Sequence, residues 1–430
     1  MISSFAKYAS KAGVLPRTHI SIVGFMNAGK SSIMNSITQQ PTSIVDDTPG
    51  TTADTKIALM EIHKIGPTKL LDTAGVDENG KLGKKKLVKT LSAVKESDIV
   101  LFAIDPNNFD FEPLKPVFEL VQKRNKTASI VFNKKKDDID FGKKKSKIEQ
   151  IIMNMTNKKY PSIVINAKNP KQTNEKIIPF IASLKKQVKP IPLIPPKFIG
   201  PDKTILLNIP LDIESPSERL LKPQTMLLEF ALRKHTSVLA YSMDLKTARS
   251  SNYIKEQKRF VKQINNCNPS LLVTDSQAID IVHRFTPNNI PLTTFSVMMA
   301  NIQSGGKLNT FIKGIDALKS LKKGDKILIC EACNHDRIGD DIGTVQLPTK
   351  LKKKFPDIEI DWAFGRSYEK KKLSDYKVAL HCGGCMISRQ QMISRIQDLH
   401  ESGVPVTNYG LALSWLASPR ALDRVLKPWE

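Results

Sequence analysis

The sequence predicts an α/β protein of several domains, and three observations carry that prediction. An apolar strand runs straight into a glycine loop and a helical stretch at residues 18–38. Apolar runs then alternate with amphipathic stretches up to residue 186, and the alternation returns from residue 270. A proline-rich break separates the two regions. At 430 residues the chain is too long for one ordinary core.

In order, the strand candidates of the first region are Thr18–Val23, Lys56–Ile62, Thr68–Leu71, Ile99–Ile104, Ser129–Phe132 and Ser162–Ile165. Strands spaced by helices read as a doubly wound sheet. Five prolines fall between Pro190 and Pro201, which forbids a helix and removes ladder donors; residues 187–202 read as a linker. Residues 203–265 form a small α+β unit: strand Thr204–Ile209, helix Pro223–His235, strand Ser237–Ser242. A unit this small buries little alone and needs a second copy or its neighbours. From residue 266 a second α/β domain follows. Its strands are Leu271–Thr274, Leu292–Phe295, Lys326–Ile329, Glu359–Trp362, Lys377–Leu380 and Val404–Thr407, and its helices Gln277–Arg284, Lys307–Ser320 and Arg389–His400. No internal repeat is evident.

Composition narrows the function classes. No apolar run approaches the length that spans a bilayer. The net charge is +24, much of it in the lysine runs 84–86, 134–136, 143–145, 352–354 and 370–372. Clustered lysines suit a phosphate backbone. These runs, however, are scattered over every region, with arginine not enriched among them and aromatics at 6%, so a solvated basic surface is the preferred reading and nucleic acid is not an expected partner. Five cysteines argue against a disulfide scaffold and for a reducing compartment. Residues 1–17 carry no acid, the first being Asp46; they read as an organellar transit segment or a basic terminus.

Gly24-Phe-Met-Asn-Ala-Gly29-Lys30-Ser31 has the spacing of a phosphate-binding loop. Glycines let backbone N–H groups turn around phosphate oxygens, Lys30 adds charge at the outer phosphates, and the Ser31 hydroxyl suits magnesium. The helix N-terminus adds its dipole. Downstream, Asp72-Thr-Ala-Gly75 ends a strand, Thr51-Thr52 lies in a loop, and Asn133-Lys134 and Asn166-Ala167-Lys168 end two later strands. This ordered set resembles the translation-factor-like GTPases. The resemblance implies GTP and Mg2+ held by Gly24, Asn27, Ala28, Gly29, Lys30, Ser31, Ser32, Thr52, Asp72, Gly75, Asn133, Lys134, Ala167 and Lys168, with Ser31 and Thr52 on the magnesium. Asn27 resembles the asparagine that coordinates K+ in cation-dependent members. Two departures stand out. Lys136 occupies the place of the guanine-reading carboxylate, with Asp137 one residue later, and Val76 follows Gly75 where a water-orienting glutamine is absent. Hydrolysis is therefore expected to be slow, and no catalytic residue is assigned.

Two further clusters, Cys330-Glu-Ala-Cys333-Asn-His335 and His381-Cys382-Gly-Gly-Cys385, point to a soft metal. Each follows a predicted strand. The ligand crevice of a parallel sheet lies outside the carboxyl ends of its strands, so the two clusters meet if those strands are neighbours. Cys333, Cys382 and Cys385 make an incomplete set for a four-iron cluster. The fourth iron is then open or capped by His335, His381 or Glu331. Cys330 belongs to its strand and is expected to face the core, and Cys267 is structural. A zinc clip and a redox dithiol are the alternatives.

Leu292-Thr-Thr-Phe-Ser296, Cys333-Asn334-His335, Asp340-Asp341-Ile342-Gly343, His381-Cys382-Gly383-Gly384-Cys385 and Val404-Pro-Val-Thr-Asn-Tyr-Gly410 resemble the HydF family, the maturation GTPases of iron–iron hydrogenase. The segments Ile209–Asp212 and Arg219–Gln224 resemble that family's dimerisation domain. The resemblance implies a P-loop GTPase domain at 18–186, a dimerisation domain at 203–265 and an iron–sulfur domain at 266–430. It implies a dimeric scaffold that binds a 4Fe-4S cluster through Cys333, Cys382 and Cys385, with His335 and His381 as candidate fourth ligands. Such a scaffold carries a two-iron precursor to apo iron–iron hydrogenase. Radical-SAM maturases supply parts of the precursor, and the GTPase gates exchange. With a transit-like N-terminus, the implied location is a hydrogenosome, otherwise the cytoplasm. The rival reading is an RNA-associated GTPase with a zinc-binding C-terminal domain; a dithiol oxidoreductase using Cys382 and Cys385 is the third.

Overall fold

Strand β1 (Thr18–Gly24) is buried along its whole length, which places it inside a sheet rather than at an edge. The structure, a computed structural model, describes residues 17–39, 56–63, 65–76, 80–134, 140–185, 191–211, 220–332, 341–365, 368, 371–384 and 387–430. The described residues fall into two compact units. In the first, β1 joins β2 (Lys56–Ile62), β3 (Gly66–Asp72), β4 (Ile99–Ile104), β5 (Thr127–Asn133) and β6 (Ser162–Ile165) in the order β2–β3–β1–β4–β5–β6. Only the β2–β3 pairing is antiparallel. The inner strand β4, Ile-Val-Leu-Phe-Ala-Ile, is apolar throughout and fully buried, as a strand covered by helices on both faces must be. Phe102 on it stacks on Phe118 with ring centroids 3.9 Å apart. Every strand predicted for this region is present.

The second unit holds two four-stranded sheets. One contains β7 (Thr204–Asn208), β8 (Ser237–Tyr241), β9 (Leu271–Thr274) and β10 (Leu292–Thr294), in the order β10–β9–β7–β8. The other contains β11 (Lys326–Glu331), β12 (Glu359–Phe364), β13 (Val378–His381) and β14 (Val406–Asn408), in the order β12–β11–β13–β14. All pairings in both are parallel. Three expectations change here. The first sheet takes β9 and β10 from beyond residue 265, so the boundary falls after them and not at 265/266. Its strands are parallel with helical crossovers, an α/β layer where α+β was expected. Finally, Leu193 and Ile194, in the segment read as a linker, are buried in one core with Ile205, Leu227 and Phe295. Prolines exclude a helix there but do not stop apolar side chains from docking.

A duplication also emerges, contrary to the absence of repeats in the sequence. Numbered along the chain, both sheets have the strand order 2-1-3-4. Their registers coincide pair for pair. Ile205↔Leu271 through Asn208↔Thr274 match Ile327↔Val378 through Cys330↔His381. Leu272↔Leu292, Val273↔Thr293 and Thr274↔Thr294 match Ala379↔Val406, Leu380↔Thr407 and His381↔Asn408. In each copy the last strand residue caps the helix that follows: the Thr294 hydroxyl accepts from Val297 N and the Asn408 side chain from Leu411 N. Pro291-Leu-Thr-Thr-Phe-Ser296 then aligns with Pro405-Val-Thr-Asn-Tyr-Gly410.

The equivalent residues Ser296 and Gly410 touch, since a Cβ on Gly410 would collide with the Ser296 Cβ. Contact between a position and its own counterpart is what an approximate two-fold between the copies requires. Gly410→Val is expected to destabilise this unit by roughly 2 kcal/mol or more through overpacking, seen as a lower denaturation midpoint with GTP binding retained.

Candidate functional site

The phosphate loop is the turn between β1 and the helix Lys30–Thr38. Two tight approaches demand its glycines. A Cβ on Gly24 would collide with the Ala103 carbonyl oxygen, and one on Gly29 with the Asn133 side-chain nitrogen. Gly29 also has φ 95° and Asn27 φ 59°, left-handed values that suit these two residue types. Lys30 is buried, its Nζ donating to the carbonyls of Phe25 (2.7 Å) and Gly24 (3.2 Å).

The Ser31 hydroxyl donates to Asp72 Oδ2 at 2.6 Å. Asp72 Oδ1 is buried with no hydrogen-bond partner among the described residues. Burial pushes the Asp72 carboxyl up, opposed by the Ser31 bond and by Lys30. A hydroxyl, a carboxylate and an unsatisfied buried oxygen at one point fit a divalent cation.

Asn133 joins three strand ends: its Nδ2 donates to the Ala28 carbonyl and its Oδ1 accepts from Ala167 N, both at 3.1 Å. Lys134 N donates to the Ile165 carbonyl, and Lys168 N to its neighbour Asn166 Oδ1. Val76 N reaches the Gly24 carbonyl at 3.4 Å, so the loop carrying Gly75 closes on the start of the phosphate loop. Ser32 is exposed on the first helical turn. Thr73, absent from the motif set, fixes this strand end through its hydroxyl and N–H to the Ile22 carbonyl. Thr51, Thr52 and Lys135–Asp137 lie outside the described residues. Asn133→Ala leaves a buried carbonyl and N–H without partners, at a cost of ~1–3 kcal/mol. It is expected to weaken binding of a fluorescent GTP analogue about tenfold, because ordering the loop is then left to the nucleotide.

In the second unit β11 and β13 are neighbours, and they carry the two cysteine clusters at their carboxyl ends. Cys330 pairs with His381, and Cys382 N donates to the Cys330 carbonyl at 2.9 Å. The Cys382 sulfur accepts two backbone N–H groups, Ala332 at 3.1 Å and Gly384 at 3.4 Å. N–H donors converging on a sulfur are the outer contacts that support a metal-bound thiolate. Ala332 directly precedes Cys333 in the chain. Cys333, His335 and Cys385 lie outside the described residues, and no group of three metal-type ligands is found among the described ones.

The other thiol and imidazole are differently placed. Cys330 is fully buried and burial pushes its thiol up to about 12. His381 is fully buried as well. Its Nδ1 lies 3.0 Å from the Cys382 carbonyl and its Nε2 3.4 Å from Arg395 Nη1, which makes Nδ1 the protonated nitrogen. Burial, then the Arg395 charge, lower its pKa to about 3. Glu331 is buried, with its carboxylate against Gly343.

Arg395 was not legible as part of this site. It sits fourteen residues beyond His381, bridging it to the Gly365 carbonyl, and no motif marks it. Gln303, which holds the Gly383 carbonyl, is similarly remote. In the first copy Asn208 and Thr274 stand where Cys330 and His381 do, and Asp275 where Cys382 does, so at these positions sulfur occurs in the second copy alone.

Residues 19–134 match the family described as 50S ribosome-binding GTPase, which with the loop geometry makes the chain a P-loop GTPase. Residues 196–304 match the hydrogen maturase F dimerization domain and residues 309–428 the hydrogen maturase F tetramerization domain. The chain belongs to the hydrogen maturase F (HydF) family. The break between those two matches falls where the tandem copies separate. The GTPase Der of a Nitratiruptor species is 37% identical over 119 residues, 28% of this chain and 26% of that protein. The tRNA modification GTPase MnmE of Campylobacter curvus is 35% identical over 127 residues, 29% of this chain and 28% of that one. The match thus spans little more than a quarter of these relatives' length. Among solved structures, Era from Aquifex aeolicus bound to GDP.AlF4- is 18% identical with a TM-score of 0.33, covering 56% of this chain and 98% of that one.

Proposed function

We propose that the chain is a GTP-controlled iron–sulfur scaffold that carries a two-iron precursor to apo iron–iron hydrogenase. The observation that carries this reading is the Cys382 sulfur at the β11/β13 crevice, taking an N–H from the residue beside Cys333, in a chain of the HydF family. A four-iron cluster held by Cys333, Cys382 and Cys385 would supply an iron with an exchangeable position. His335, two residues beyond Cys333 in the sequence, is the better fourth ligand, because both His381 nitrogens are engaged within the protein. His381 and Arg395 then position Cys382 rather than bind iron.

At the other site Lys30 meets the outer phosphates, and Ser31, Asp72 and Thr52 serve Mg2+. Asn27 suits K+. Asn133 and Lys134 face the base, and Val76 in place of a water-orienting side chain keeps hydrolysis slow. Ordering of the loops around Thr52 and Gly75 by nucleotide, and their release on hydrolysis, is the switch. Radical-SAM maturases are the proposed suppliers and a homodimer the working state. If residues 1–17 direct import, a hydrogenosome is the site of action; otherwise it is the cytoplasm.

Anaerobic reconstitution with iron and sulfide tests this. A reduced sample with a four-iron EPR signal and broad absorption near ~400 nm supports the scaffold. Tight zinc uptake with no iron retained, or disulfide turnover without iron, overturns it.

A further inference from the structure

A cavity of about 750 Å³ opens in the second unit, lined by no residue assigned to either site. Its walls are the loop after the helix Phe295–Gln303, the start of the helix Asn309–Lys319, the end of the helix Arg389–Glu401, the residues leading into β14, and Trp429. We infer that this cavity, where the first tandem copy passes into the second, binds a small organic anion with an apolar body.

Four features converge on that ligand class. Lys307, Lys313 and His400 line the cavity and no aspartate or glutamate does. In a chain this basic, that alone decides little. Asn301 is more telling. It lines the cavity at 9% exposure. Its backbone carbonyl takes the Ser304 hydroxyl and Gly306 N–H, yet no hydrogen bond to its side-chain amide is found among the described residues. Its amide is therefore open to the cavity and offers both a donor and an acceptor to whatever occupies it.

Third, the 11-residue helix Asn309–Lys319 begins at the cavity with no side chain capping it. The N–H groups of Thr310 and Phe311 already donate to the Lys307 and Leu308 carbonyls, so this helix start contributes its dipole there rather than free donors. Fourth, the Trp429 ring forms a fixed apolar wall, its indole N–H donating to the Thr293 hydroxyl at 2.9 Å. A carboxylate, phosphate or sulfonate head fits against Lys307, Lys313 and the helix start. The body lies on Trp429, and Asn301 bonds a carbonyl or hydroxyl on it. The volume suits a ligand of ordinary metabolite size.

The test uses the full chain, saturated with GTP and Mg2+ so that the phosphate loop does not compete. The probe is 8-anilinonaphthalene-1-sulfonate, compared with uncharged N-phenyl-1-naphthylamine, both read by fluorescence. One saturable sulfonate site per chain is expected, weakened about tenfold or more in Lys307→Glu/Lys313→Glu and severalfold in Asn301→Leu, with the uncharged compound bound alike by all. Equal sulfonate binding by wild type and variants, or an equal loss of the uncharged compound in the variants, overturns the assignment. Unchanged GTP affinity and melting show that the variants fold. Lys313→Gln, at an exposed position, replaces the double variant if that one does not. Iron uptake is a separate readout, so failure here leaves the scaffold reading untouched.

Discussion

Cys382→Ala is expected to leave reconstituted protein with less than about one iron per chain, against about four for wild type. The sulfur is lost from the centre of its hydrogen-bond arrangement, so two N–H groups, Ala332 and Gly384, are left without their acceptor. That costs ~1–3 kcal/mol locally and removes a ligand from a set that is already one short. GTP affinity should not change, because the nucleotide site is built from the other compact unit. Iron analysis and nucleotide titration on the same sample separate loss of a ligand from loss of fold. Retention of a full cluster by the variant would show that Cys382 is not a ligand.

Lys30→Ala is the counterpart at the other end of the chain. It is expected to lower GTP affinity by on the order of a hundredfold, ~3 kcal/mol for a charge-assisted bond lost in a buried site. Lys30 is 8% exposed and already held over the loop by two backbone carbonyls, so its charge is positioned before nucleotide arrives. The iron content should stay at the wild-type level while transfer of the two-iron guest to apo-hydrogenase fails. Undiminished transfer by a variant that no longer binds GTP would remove the switch from the mechanism.

Much of this was legible because parallel strands buried on both faces read as plain apolar runs. Ile99–Ile104 and Leu271–Thr274 are such strands and form as predicted. What a run of apolar residues does not say is which sheet it joins. Leu271–Thr274 pairs with Ile205–Asn208, across the boundary that composition suggested. The duplication hid for a related reason. Its copies share register and capping, but outside the Pro291–Ser296 and Pro405–Gly410 segments they share little beyond apolar character.

The phosphate loop was legible because its chemistry is local, spanning Gly24 to Ser31 with each residue's part set by neighbours in sequence. The long-range ties were not. Asn133 was read as one of the residues holding GTP, yet its side chain also spans from Ala28 to Ala167. His381 was read as a candidate ligand because it adjoins Cys382. Its ring is instead claimed by a backbone carbonyl and by Arg395, from a helix no motif connects to it.

A crystal structure of anaerobically reconstituted protein, with iron located by its anomalous scattering, bears on the whole scheme at once. Iron bound jointly by the sulfurs of Cys333, Cys382 and Cys385 is the predicted result. Iron held without one of those three sulfurs, or a lone tetrahedral zinc in its place, would contradict it.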